Sequence, residues 1–232
     1  MTAVPWDLLE REYAKLGVEV GSLPPRDQRA VGMLFLPRGE DDAAACRAEV
    51  EKTMTESGLS FHGWRSVPVD PSSLGPQSRE NQPTIEQFLV SSDLASGDAL
   101  EREMYLLRRV AAKNLVDRGL DWQADMYFCS LSTRTIVYKG MTNANALGMF
   151  FKDLTDPGFT SNFCVYHRRF STNTMPKWPL AQPMRMLGHN GEINTLLGNV
   201  NWVRAREGEL DTECEFDPDG DTRNFILNCD IQ

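Results

Sequence analysis

Five short runs limit what this chain can fold into: 30–37 (AVGMLFLP), 61–69 (FHGWRSVPV), 85–92 (IEQFLVSS), 126–132 (MYFCSLS) and 135–140 (TIVYKG). Each has strand length and strand composition, and the last two face each other across a tight turn as a hairpin. The segments 162–171 (NFCVYHRRFS) and 184–192 (MRMLGHNGE) add two more, giving about seven strands. Helical patterns separate some of these runs but do not alternate with them one for one. That order favours an antiparallel or mixed sheet covered by helices over a doubly wound parallel sheet, and the fold class is α+β.

Five helices are expected. Residues 5–16 carry Leu9, Tyr13 and Leu16 on one face, with Pro5 at the start and Gly17 at the end. Residues 41–57 form a second helix, with Asp41 or Asp42 as cap and Gly58 as stop. The third has the clearest stripe, Leu100, Met104, Leu107, Ala111 and Leu115. Residues 144–154 and 193–206 complete the set, and Asp156-Pro157 stops the former. The polar stretch 70–83 is a loop, and 209–226 is acidic and irregular. No repeat, low-complexity tract or strong linker divides the chain.

Composition removes several function classes. The 232 residues carry a net charge of −9, which argues against nucleic acid or an anionic membrane as partner. No apolar run approaches the roughly 20 residues a bilayer span needs. The N-terminus has neither a basic nor an apolar signal region, so the cytoplasm is the default location. Five scattered cysteines without a CxxC pair predict neither a zinc site nor a disulfide framework. Cys129 and Cys164 lie in apolar runs and are expected in the core. Asp217-Pro218-Asp219-Gly220-Asp221 fails as a calcium loop, because Ile226 would occupy the position of the bidentate glutamate. No metal ligand set is expected. No GxGxxG follows a strand, so dinucleotide binding has no support.

Chemistry concentrates in 167–206. Arg169 closes a strand and is followed by Phe170, Ser171, Thr172 and Asn173. Its guanidinium can grip a carboxylate through two parallel bonds, with Thr172 adding a hydroxyl. The rival reading is a structural ion pair, and composition weighs the two equally. His189-Asn190-Gly191-Glu192 follows another strand. An Asn-Gly turn aims a backbone N–H outward beside an amide side chain, and two such donors can stabilise an oxyanion. Alone, an ordinary turn would be the better reading; a carboxylate-binding candidate about twenty residues upstream changes the balance. Trp178 and Trp202 flank the cluster, with core packing the default for both, and the ten methionines read as core filling.

The motifs RFSTN, PLAQP, GHNGEIN and GNVNWVRARE, in this order and spacing, resemble the glutaminase domain of glutamate synthase large subunits. VGMLFLP, GWRSVPVDPSSLGP, MYFCSLSTRTIVYKGM and DLTDPGF extend the resemblance from about Val4 to the end. It implies a class II glutamine amidotransferase with an N-terminal-nucleophile hydrolase fold, an αββα sandwich of antiparallel or mixed sheets, here lacking its first strands. It implies that residues 1–232 are a partial domain of that type, one that hydrolyses glutamine to glutamate and ammonia. Arg169 would bind the glutamine carboxylate with Thr172 and Asn173. Phe170 would belong to a loop closing over substrate. Asn190 and Gly191 would form the oxyanion hole, with His189 a structural neighbour. FMN and an iron–sulfur cluster are implied for the full-length protein, none for this chain. Implied partners are glutamine, the remaining domains of the large subunit, and a small electron-donating subunit or ferredoxin.

The family nucleophile is a cysteine at the mature N-terminus whose own α-amine is the base. That cysteine, its HRG motif and its GDGAG segment do not occur here, and Cys46 lies inside a helix. Removal of Met1 would expose Thr2, but nothing after it resembles the family's first strand. The acidic residue that holds the glutamine α-amine is also missing. The chain alone is therefore expected to lack glutaminase activity, with a sheet edge and an apolar face uncovered. A glutamine-binding or regulatory module without catalysis is the alternative.

Overall fold

The computed structural model describes residues 1–117, 119, 126–170, 175–185 and 196–207. Two compact units divide the chain, Met1–Asn190 and Gly191–Gln232. In the second, the described element is one helix, Leu196–Glu207, which places the predicted fifth helix; Trp202 on it is exposed rather than packed in a core.

The first unit is built on a four-stranded antiparallel sheet. Its strands are β2 (Arg29–Leu36), β3 (Ser60–Ser66), β4 (Thr84–Ser91) and β5 (Tyr127–Ser132), in the spatial order β3-β4-β2-β5. β1 (Thr2–Ala3) and β6 (Thr135–Ile136) form a separate antiparallel pair. Every residue of β2 is buried, as its central position requires.

Alternation along β2 sorts the two faces. Ala30, Leu34 and Leu36 join Phe88 and Val90 of β4 against α2 (Glu40–Glu56) and α4 (Gly97–Asp117). From α4 come Leu100, Met104, Leu107, Ala111 and Leu115, the whole predicted stripe. From α2 come Cys46, Val50 and Met54. Gly32 stands opposite Phe88 because a Cβ there would lie 2.1 Å from the phenyl ring. The other face lies on the side of Arg65, Gln87 and Tyr138, all buried. α1 (Trp6–Lys15) buries Leu8, Leu9 and Tyr13.

Several sequence expectations need correction. The 126–140 stretch is not a hairpin. The Ser132 hydroxyl oxygen accepts the N–H groups of Arg134 and Thr135 at 3.0 and 3.1 Å, and Ser130 Oγ accepts that of Val137 at 3.1 Å. Serine side chains thus take donors that a hairpin ladder would use, and the chain turns away to pair with β1. The 144–154 helix breaks at Phe151, which bridges Val69; α5 (Ala144–Phe150) is followed by a separate 3-10 turn, Lys152–Thr155. Loop 70–83 holds a 3-10 turn, Pro71–Ser73, and α3 (Pro76–Glu80). α2 begins after Gly39 without a side-chain cap.

The 162–171 run is not a regular strand. Cys164 bridges Thr2, and Met1 and Val165 exchange two hydrogen bonds of 2.9 Å. Its apolar side chains find no core: Phe163, Val165 and Tyr166 are exposed, and so is Cys164, against expectation. Cys129 is buried as expected, and burial pushes its thiol up to about 12. Of 184–192 only Met184 and Arg185 are described, and the acidic 209–226 segment lies outside the described residues.

Candidate functional site

Arg169 and Phe170 follow the residues that run beside Met1–Ala3. Arg169 is exposed, and its backbone N–H donates to His167 Nδ1 at 3.2 Å. Its guanidinium enters no ion pair among the described residues. Phe170 is half-buried. Thr172, Asn173, His189, Asn190 and Gly191 lie outside the described residues. Of the predicted site, the structure places the guanidinium and the adjoining ring.

The five residues before Arg169 wall a cavity of about 110 Å³. Across it stand Tyr138, Lys139, Asn143 and Gln182. Gln182 Oε1 is buried and has no hydrogen-bond partner among the described residues. Asn143 is committed elsewhere, since its side chain caps α5 by accepting from Ala146 N–H at 2.9 Å.

Tyr138 ties the cavity to a buried polar network. Arg65 donates to Asp153 through both terminal nitrogens, at 2.7 and 2.8 Å, and to Gln87 Oε1 at 2.7 Å. Gln87 Nε2 donates to the Tyr138 hydroxyl at 3.0 Å, and that hydroxyl donates to Asp153 Oδ2 at 2.8 Å. Burial, and then the neighbouring Asp153 carboxylate, hold the Tyr138 phenol well above its ordinary value, so it stays a donor. Asp153 is satisfied three times over, which a buried carboxylate needs.

Lys139 is 2% exposed. Its ammonium donates to Pro179 O at 2.7 Å and Tyr127 OH at 3.1 Å, and lies 4.3 Å from the centre of the Tyr127 ring. Sequence reading missed it, although a lysine inside the apolar run TIVYKGM was the available signal. It also missed Arg65, Tyr138 and Asp153, because their pairing spans 88 residues between Arg65 and Asp153 and has no local pattern.

Metal chemistry finds no support among the described residues, where no group of three or more His, Cys, Asp or Glu side chains could hold an ion. No described helix is long and apolar enough to cross a membrane.

Comparison with known proteins adds the family. A model of the class-II glutamine amidotransferases matches residues 1–224. Ferredoxin-dependent glutamate synthase 2 of Synechocystis is 51% identical over 212 residues, 91% of this chain and 13% of that protein. The chloroplastic ferredoxin-dependent glutamate synthase of Oryza sativa is 44% identical over 96% of this chain and 14% of its own length. The NADPH glutamate synthase large chain of Azospirillum brasilense is 44% identical over 83% of this chain and 13% of its own length. The chain thus spans about an eighth of the length of these relatives. An α+β unit with antiparallel sheets, matched along nearly its whole length, belongs to the class-II glutamine amidotransferases.

Proposed function

We propose that this chain is the glutamine-handling part of a glutamate synthase, a partial class II amidotransferase domain over 1–232 with the αββα sandwich of the N-terminal-nucleophile hydrolases. The observation that carries this reading is Arg169, an exposed guanidinium with no ion-pair partner among the described residues, in a chain of this family. An exposed guanidinium suits the α-carboxylate of glutamine, gripped by two charge-assisted bonds. Thr172 and Asn173 add polar contacts, and Phe170 covers the substrate. His189 supports the turn that follows. Asn190 and Gly191 supply an amide and a backbone N–H to the oxyanion that forms when the side-chain amide is attacked.

The attack needs a thiolate and a base. Among the described residues, Cys46 and Cys129 are wholly buried, and Cys164, though exposed, is internal and has no α-amine of its own. In this reading the chain binds glutamine and releases no ammonia from it. FMN and the iron–sulfur cluster belong to other parts of a full-length synthase, as does the choice between ferredoxin and a small NADPH-linked subunit; the described residues offer no ligand set for a cluster. The reading places the protein in the cytoplasm.

Titration calorimetry of the purified chain with glutamine, run beside an ammonia assay, tests this. Binding without ammonia is the expected result. Ammonia release sinks the inactivity claim, and absence of binding sinks the glutamine reading.

A further inference from the structure

We propose that the cavity bounded by α5 and residues 164–168 is a binding site for a short apolar monocarboxylate. The proposal stands apart from the glutamine reading, because none of the proposed glutamine contacts lines this cavity.

The cavity holds about 110 Å³. At roughly 30 Å³ per water that is the space of about four waters, so a guest is limited to a few carbons. Its apolar wall comes from three places: Leu147 of α5, Leu154 of the 3-10 turn that follows, and Pro183 of the stretch 175–185. α5 is held in place by its Asn143 cap and by buried Phe150, whose ring lies 4.7 Å from that of Phe151 and 5.6 Å from that of Trp178. The wall is therefore preformed, which suits a small-molecule site.

The polar side carries one sign of charge. Arg168, His167 and Lys139 line it, and none of the described lining residues is an aspartate or glutamate, in a chain that holds 33 of them. Arg168 is exposed and enters no ion pair among the described residues. His167 Nδ1 accepts the Arg169 N–H at 3.2 Å, so the neutral imidazole carries its proton on Nε2 as a donor. The Lys139 ammonium is held by Pro179 O and Tyr127 OH, so it adds positive field rather than a direct contact.

An inorganic anion would leave the apolar wall bare, and an alcohol would leave the guanidinium unpaired. A short alkyl chain ending in a carboxylate answers both. The chain lies on Leu147, Leu154 and Pro183, and two oxygens meet the fork of Arg168.

The probe is n-butyrate, titrated calorimetrically into the purified full chain in the absence of glutamine. Saturable binding is expected. Each buried methylene is worth about fourfold in affinity, so acetate should bind roughly 15-fold more weakly. 1-Butanol, which keeps the chain and lacks the charge, should bind about tenfold more weakly or worse, and Arg168→Gln should weaken butyrate by a similar factor. Leu147→Trp, which fills the cavity, should abolish binding. Arg168 is exposed, so Arg168→Gln carries the test if Leu147→Trp does not fold. Absence of saturable butyrate binding overturns the proposal. Acetate or butanol binding as tightly as butyrate overturns the ligand class, and unchanged butyrate affinity in Arg168→Gln overturns the site. A chain that binds butyrate but not glutamine sinks the glutamine reading and leaves this one standing.

Discussion

Arg65 and Asp153 form a two-pronged pair inside the molecule, 5% and 2% exposed at their side chains. They join β3 to the 3-10 turn after α5, so the pair couples the sheet to the layer that walls the cavity. Removing Asp153 leaves the buried Arg65 charge with Glu12, 3.9 Å away, as its remaining carboxylate among the described residues, and removing Arg65 leaves the Asp153 charge buried without its guanidinium. Asp153→Ala is expected to cost about 3–5 kcal/mol, and a double variant that also replaces Arg65 with Met less than the sum of the singles. Urea unfolding of the four-protein cycle measures this, and strict additivity would contradict it.

Gly32→Ala tests the closest approach in the core. Phe88 cannot swing away freely, because it stacks on Phe61 at 5.6 Å and packs on Trp64 at 5.2 Å. Overpacking of this kind costs about 1–3 kcal/mol, and here the upper end is expected. Phe88→Leu in the Gly32→Ala background should recover part of the loss. Thermal unfolding of the single and double variants decides it.

His62 gives the chain a pH dependence near neutrality. It is the extra residue where the pairing of β3 with β4 shifts register between Phe61 and Gly63, and Gly63 takes a φ of +126° to make the bulge. The bulge brings its Nε2 within 2.7 Å of Ser91 Oγ. Burial, then the Arg29 charge, lower its pKa below the ordinary 6.5, with Asp93 opposing. The unfolded chain therefore takes up the proton first. Stability from this group is present above about 6.5 and is lost as pH falls through the lower folded value. Unfolding midpoints between pH 7 and 5 should fall more steeply for the unmodified chain than for His62→Gln.

Arg169→Ala removes the proposed carboxylate grip. A bond to a charged group contributes about 1.5–3 kcal/mol, so glutamine affinity should fall roughly 10- to 150-fold. Arg169→Lys should recover only part, because an ammonium cannot make the paired contact. Stability should not change, since the side chain is exposed. Equal affinity for glutamine in all three proteins would remove Arg169 from the site.

Legibility in the sequence followed the range of the interaction. The α4 stripe was readable because one helix repeats its contact every turn, and all five residues are buried. The strands of the main sheet were readable from their own composition. The pairing of β6 was not, because it turned on the hydroxyls of Ser130 and Ser132 taking backbone donors, which no apolar pattern encodes. Cys164 looked like a core residue because its neighbours are apolar, yet Phe163 and Val165 beside it are exposed too. Arg169, proposed for the site, is visible from its motif, whereas the contacts of Lys139 come from Pro179 and Tyr127, which lie 40 and 12 residues away.

The bonds between Met1 and Val165 link residues 164 positions apart. On a ribosome adding about 5–20 residues per second, roughly 8–33 s separate the making of the two partners. During that interval α1 and the sheet can assemble, while the small β1–β6 pair has one strand without the flank that Cys164 supplies. The short pair that Thr2–Ala3 enters is thus among the last parts to settle, and β1 keeps an open flank until residues 164 and 165 are made.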